Sequence, residues 1–144
     1  MQITSPPDLA VRLRLAITRT SRRLRQEAGS GLSPTATAAL ATVDRHGPLT
    51  PSELAQRERV QRPTVTRLVA RLEEMGLLAR AGDPGDRRSS LLSITPEGRV
   101  LLEEARERKD AYLASRLVRL DADERAALDR AAAILERLLE EDRA

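Results

Sequence analysis

Asp86-Arg87-Arg88-Ser89-Ser90-Leu91-Leu92-Ser93-Ile94-Thr95 carries two adjacent arginines out of a turn, runs through a short apolar strand and ends in a Thr-Pro helix start. Its partner strand is Leu77-Leu78-Ala79-Arg80-Ala81, and the turn-rich Gly82-Asp83-Pro84-Gly85 lies between. Taken alone, this is a hairpin with a basic tip. The rest of the chain has no other β signal, so the hairpin must work against helices, and the elements on either side decide its meaning.

Upstream, Thr50-Pro51-Ser52-Glu53 combines a capping box with a first-turn proline. Leu54 and Ala55 then form the apolar face of a helix of about two turns, predicted over 50–57. A second helix is predicted over 62–75, with Val65, Leu68, Val69 and Leu72 on one face and Gly76 as its stop. Two helices joined by a few residues form a helix-turn-helix.

Further out, Pro6-Pro7 closes an opening tail, and Asp8 is the expected cap of a helix bearing Leu9, Leu13, Ile17, Thr20 and Leu24. Gly29-Ser30-Gly31 ends it. Ser33-Pro34 starts a short alanine-rich helix through Leu40 and Val43 that closes near Gly47-Pro48. Beyond the hairpin, Thr95-Pro96-Glu97 opens a long helix with Val100, Leu101, Ala105, Tyr112, Leu113 and Leu117. Asp121-Ala122-Asp123-Glu124 opens a last one with Ala127, Leu128, Ala131, Ile134, Leu135 and Leu138. The reading is mainly α with a small β-hairpin wing, in one domain over 1–144.

Composition agrees. The 144 residues are 40% hydrophobic and 33% charged with Tyr112 the only aromatic, so the core must be built from Leu, Val, Ile and Ala. The net charge is only +3, but its distribution is uneven. Arg57, Arg59, Arg62, Arg67 and Arg71 face Glu58 alone across 57–71, whereas the acids gather toward the C-terminus. A second basic run, Arg12 to Arg25, has the helical spacing of a solvated face, favoured over a second binding site. Lys109 is the single lysine.

Several chemistries are excluded. No cysteine is present, which removes disulfides, zinc-thiolate sites and thiol redox switching, and the lone His46 cannot build a multi-histidine metal site. There is no glycine-rich phosphate loop followed by lysine and no serine elbow, and the Glu73-Glu74 and Glu103-Glu104 pairs read as helix-surface charge. No enzyme, cofactor or metal is expected. Residues 1–8 lack the apolar run of a signal peptide and no stretch approaches a membrane span, so a soluble, cytoplasmic protein without membrane association is expected.

The second helix of the pair turns Pro63, Thr66, Arg67, Ala70 and Arg71 away from its apolar face, with Gln61, Arg62 and Thr64 at its leading edge. A major-groove reader needs this division: one face docks on the scaffold while arginines and short polar residues reach base edges and phosphates. Arg67 suits a guanine edge, and Thr64 or Thr66 a phosphate or thymine methyl. For this helix alone, a solvated amphipathic surface is an equal reading. The hairpin shifts the balance, because Arg87 and Arg88 at a tip beside such a helix can enter a neighbouring minor groove. Asp86 is then expected to hold the turn, or one of the arginines, by a charge-assisted hydrogen bond.

Element order and motif wording resemble the MarR family of bacterial transcriptional regulators over nearly the whole chain. The matching text is Leu49-Thr50-Pro51-Ser52-Glu53-Leu54-Ala55, then Thr64-Val65-Thr66-Arg67-Leu68-Val69 with Leu72-Glu73 and Gly76-Leu77, then Asp86-Arg87-Arg88 with Leu91 to Thr95 and Gly98. The resemblance implies a winged helix-turn-helix lobe over 33–94, dimerisation helices over 8–28 and 95–142, double-stranded DNA as partner, and Arg88 ahead of Arg87 as the wing arginine in the minor groove. Two departures stand out. Gln61 and Arg62-Pro63 occupy positions where the family often has a serine or threonine cap and small polar residues, which alters the bases read. The lack of aromatics argues against a ligand enclosed by rings.

The resemblance also implies an obligate homodimer, commonly a repressor, on a pseudo-palindromic operator. A small-molecule effector would lie between the dimer helices and the DNA-binding lobe. Arg14, Ile17, His46 and Tyr112 are the residues near that junction. Arg14 has the charge to meet a carboxylate and Tyr112 a ring to stack on an apolar ligand, set against the plainer roles of a solvated arginine and an interface tyrosine. His46 reads as a loop residue beside Gly47-Pro48 as readily as a proton sensor. The rival reading of the whole chain is a winged-helix protein-interaction module that binds an acidic partner.

Overall fold

A computed structural model describes residues 3–143. Six helices and one hairpin follow in the order α1 (Pro6–Ala28), α2 (Pro34–His46), α3 (Pro51–Glu58), α4 (Arg62–Glu74), β1 (Leu78–Asp83), β2 (Asp86–Ile94), α5 (Pro96–Leu117) and α6 (Ala122–Glu141).

Four of these helices begin at a proline preceded by a hydroxyl residue, and the chemistry is the same each time. Proline has no N–H to leave unsatisfied in a first turn, and the hydroxyl oxygen accepts from an N–H that the helix itself cannot pair. Ser5 Oγ accepts from Asp8 N at 3.4 Å, Ser33 Oγ from Ala36 N at 3.1 Å, Thr50 Oγ1 from Glu53 N at 3.1 Å and Thr95 Oγ1 from Gly98 N at 3.0 Å. Each such cap contributes about 1 kcal/mol. The cap of α1 is therefore Ser5 and not Asp8, whose carboxylate sits in the first turn and accepts the Ser5 hydroxyl at 2.5 Å. Asp121 and Glu124 form a reciprocal capping box at α6. Helix α4 is the exception, since Gln61 makes no side-chain cap.

The chain divides into two compact units, with the boundary between Lys109 and Asp110, inside α5. In the first unit the core is aliphatic. Leu40 and Val43 of α2, Leu54 of α3, Val65, Val69 and Leu72 of α4, and Leu92 of β2 are all essentially inaccessible. Leu68 packs against this cluster from its edge. Helix α1 buries only Ala28, and Arg108 of α5 donates from Nη1 to the Ala28 carbonyl at 2.8 Å.

Strands β1 and β2 pair antiparallel from Leu78 opposite Ile94 to Asp83 opposite Asp86, so the connection is the two-residue Pro84-Gly85. They reach further toward the tip than the sequence patterning suggests, because backbone pairing continues where apolar alternation has ceased. The register breaks between Gly82, opposite Ser90, and Asp83, leaving Arg87, Arg88 and Ser89 without cross-strand partners. A third piece of β structure has no pattern in the sequence: Leu49 bridges Leu92, with N···O distances of 3.0 and 2.6 Å.

Gly76 (φ 74°) ends α4, and Thr95 spans this exit by donating its hydroxyl to the Gly76 carbonyl at 2.6 Å. Gly98 lies so close to Leu77 that an added Cβ would overlap its carbonyl oxygen. Between α3 and α4 the turn is Arg59 to Gln61, and Arg59 sits in the left-handed region (φ 54°), which costs a non-glycine residue roughly 1–2 kcal/mol.

The second unit holds the last turns of α5 and all of α6. The Arg116 guanidinium lies 5.1 Å from the centroid of the half-buried Tyr112 ring, within cation–π range. No described residue of α6 is buried; Leu128, Ile134 and Leu138 are each close to half exposed.

Candidate nucleic-acid interface

Helix α4 separates its two faces by side-chain chemistry. Val65, Val69 and Leu72 fall on the side that docks into the core, while Pro63, Thr66, Arg67, Ala70 and Arg71 are exposed. Gln61 and Arg62 are exposed at its start and Thr64 is half-buried. The exposed Thr66 donates its hydroxyl back to the Arg62 carbonyl at 3.0 Å, so its oxygen can still accept a hydrogen bond.

The arginines of this face are not equivalent. Arg62 Nη1 donates to Ser52 Oγ of α3, joining the two helices across the turn. For Arg67 and Arg71 no hydrogen bond or ion pair of the guanidinium occurs among the described residues, and both are exposed. An unpaired surface guanidinium keeps its full fork of donors for an incoming carboxylate, phosphate or guanine edge.

The hairpin tip is ordered by two carboxylates acting on backbone. Asp83 Oδ1 accepts from Gly85 N at 2.9 Å, and Asp86 Oδ1 accepts from Arg88 N at 2.9 Å. Asp86 thus braces the main chain of Arg88 and makes no ion pair with either arginine side chain. Arg87 and Arg88 are exposed, and their guanidinium groups have no partner among the described residues.

One contact joins the hairpin to α4, and sequence patterning does not reveal it. Arg80 of β1 donates to Glu73 Oε1 from Nη2 at 2.7 Å and from Nε at 3.2 Å, and to Ser90 Oγ of β2 from Nη1 at 3.4 Å. The sequence offers an acid near the end of one element and an arginine early in the next, but nothing in their spacing selects this pair over Glu74. A surface pair of this kind adds at most about 1 kcal/mol. Its importance is geometric, since it ties the end of α4 to both strands.

The four residues expected near an effector junction are distributed over the two units. Arg14 and Ile17 are exposed on α1, and His46 is exposed at the end of α2, where it lines a hollow of about 100 Å³ with Ala41, Thr42 and Arg45. Tyr112 belongs to the other unit. A larger cavity of about 300 Å³ lies in the first unit, lined by Leu24 and Arg25 of α1, Thr37 and Ala41 of α2, Ala105 and Lys109 of α5, and several small residues; none of the four contributes to it. Among the described residues no group of three His, Asp or Glu is placed to hold a metal, and no helix is long and apolar enough to cross a membrane.

A short helix, a three-residue turn, a helix docked by one face and a hairpin directly after it define a winged helix-turn-helix protein. The chain belongs to the MarR family, whose profile matches residues 30–89. It is 39% identical over 140 residues to an HTH-type transcriptional regulator of Mycobacterium tuberculosis, covering 96% of this chain and 98% of that protein. To the HTH-type transcriptional repressor MdtR of Bacillus subtilis it is 37% identical over 94 residues, 65% of this chain and 61% of MdtR. A solved transcriptional regulator of Pseudomonas aeruginosa superposes with a TM-score of 0.83 at 36% identity, over 94% of this chain and 98% of that one.

Proposed function

We propose that the protein is a homodimeric, sequence-specific DNA-binding transcription repressor acting on a pseudo-palindromic operator. The observation that carries the reading is the unpaired, outward cation set on two adjacent elements: Arg67 and Arg71 on α4, Arg87 and Arg88 on the hairpin. Helix α4 enters the major groove, with Arg67 on a base edge and Gln61, Pro63, Thr64 and Thr66 along the leading contact. Arg62 and Arg71 meet phosphates, and Arg88 with Arg87 reaches the flanking minor groove. The similarity to a repressor supports the sign of the regulation.

Dimerisation rests on α1, α5 and α6. Leu9, Leu13 and Ile17 repeat every four residues on α1 and are between 38% and 49% exposed, and α6 carries the stripe of Leu128, Ile134 and Leu138. Faces of this extent call for a partner, and a second copy satisfies them with two-fold symmetry. The two α4 helices then address successive major grooves about 34–36 Å apart. A small molecule that binds one spacing better than the other shifts the repressor on or off the operator, with Arg14, Ile17 and His46 of the first unit and, separately, Tyr112 of the second as candidate effector contacts.

Selection of bound sequences from a random DNA pool at moderate salt tests the reading, followed by affinity for the selected site across ionic strength. The expected outcome is a pseudo-palindrome and a log-log salt slope of about −0.9 per phosphate neutralised. With about 6–10 contacts, affinity falls roughly 10³–10⁵-fold between 50 and 200 mM salt. No enrichment from a folded dimer would transfer the function to docking on an acidic protein.

A further inference from the structure

Arg59 is the one described residue other than glycine with a positive φ. The conformation is required where it stands: its N–H closes α3 on the carbonyls of Ala55 and Gln56, and Val60 N reaches the Ala55 carbonyl at 3.1 Å. A turn of this kind needs a residue at ease in the left-handed region, which glycine and asparagine provide at least cost. Nothing about the turn needs an arginine, and the backbone contacts leave the long side chain with no structural task.

The surroundings leave its charge free. The Arg59 side chain is exposed, and its guanidinium has no hydrogen bond or ion pair among the described residues. The adjacent acid, Glu58, is engaged with the Thr42 hydroxyl on the inner side, and the next arginine, Arg62, is engaged with Ser52. Arg59 therefore projects an unneutralised cation two residues ahead of Gln61, at the start of a helix whose first turn has no side-chain cap.

We propose that Arg59 is a phosphate-binding residue: it grips the DNA backbone beside the groove that α4 enters, and so sets the position of the helix without reading a base. The backbone strain persists because the charge is useful where the turn is tightest, the pattern expected of strain at a working site. Phosphate contacts orient a protein on the duplex and carry no sequence information directly, so the effect on affinity must be uniform across operators. The inference rests on the DNA-binding reading above.

The test uses the full chain as a dimer and two variants, Arg59→Gly, which removes both charge and strain, and Arg59→Gln, which removes the charge and keeps the strain. Thermal melting and affinity for the selected operator are measured across salt. Arg59→Gly is expected to melt about 2–8 °C higher, and Arg59→Gln at the wild-type temperature. Both should bind roughly a hundredfold more weakly, about tenfold for each protomer's contact, with a salt slope less negative by about 1.8, one phosphate per protomer, and with the ranking of mutated operators unchanged. Wild-type affinity and slope in Arg59→Gln would overturn the proposal, whatever Arg59→Gly does, since only turn geometry would then matter. Weaker binding with an unchanged slope, or a changed ranking of operators, would also overturn it. A wild-type protein that binds no DNA would remove the functional reading as well; steep wild-type salt dependence beside unaltered variants removes the Arg59 role alone.

Discussion

At Arg88 the main chain and the side chain serve different ends. Asp86 holds the N–H at 2.9 Å, and the guanidinium extends into solvent with nothing to hold it. Removing the side chain therefore takes away no internal contact. Arg88→Ala is expected to lower operator affinity by tenfold or more, about 1.4 kcal/mol, with the dimer and its melting temperature unchanged; fluorescence anisotropy and calorimetry on one preparation decide it. Parallel loss of fold and binding would make Arg88 structural. Arg67→Ala is expected to relax base preference at one operator position by roughly 1–3 kcal/mol, the value of a bidentate base contact, and competition among single-base operator variants measures this. Equal discrimination by wild type and variant would take Arg67 off the base edge. Helical periodicity alone makes Arg67 and Arg71 legible as outward residues. It does not show that Arg62 crosses to Ser52, because a long side chain selects its partner from what the tertiary fold brings near.

Helices and strands are legible to the extent that their signals are local. Ser33-Pro34, Thr50-Pro51 and Thr95-Pro96 mark their helix starts within two residues, since cap and proline act through the first turn alone. The α1 cap is misassigned from sequence because Ser5 and Asp8 are both competent residues on either side of a Pro-Pro pair, and only φ and ψ separate them. The Leu49 bridge leaves no trace, as a single paired residue has no period to detect, and the left-handed turn at Arg59 is hidden by the absence of glycine. Where these elements meet, Gly98 makes the tightest contact. Gly98→Ala would force a methyl group into the Leu77 carbonyl oxygen and to within 2.8 Å of Ile94 Cγ1. It should destabilise the protein by about 1–3 kcal/mol, read from the denaturant midpoint. Gly82→Ala is the control, with nothing within 4 Å of the added carbon; if the two variants unfold alike, close approach is not why glycine occupies 98.

For the molecule entire, the balance of buried and exposed apolar surface is the governing fact. The core of the first unit is closed and aliphatic, yet Leu128, Ile134, Leu138 and Leu139 of α6 remain between 48% and 63% exposed. A double variant, Leu128→Glu with Leu138→Glu, is expected to yield monomers in sedimentation velocity. Operator affinity should then collapse toward that of a half-site, with the helical content of α6 kept by its Asp121–Glu124 capping box. A stable dimer after this change would place the interface elsewhere. The division of α5 is not legible, for no glycine or proline follows Gly98 to signal it, and the helix runs on without a break in its backbone.

That division falls beside Lys109, the chain's single lysine, which also lines the 300 Å³ cavity. With arginine supplying every other basic side chain apart from His46, amine-directed chemistry has one side chain to modify, Lys109, once the more acidic α-amine has been blocked. A fluorophore attached there would stand at the cavity's edge on the last residue of the first unit, without cysteine engineering or any change to the arginines proposed to grip DNA. The near-exclusion of lysine thus gives the protein, with its α-amine blocked, a single native attachment point for an optical label at the rim of that cavity.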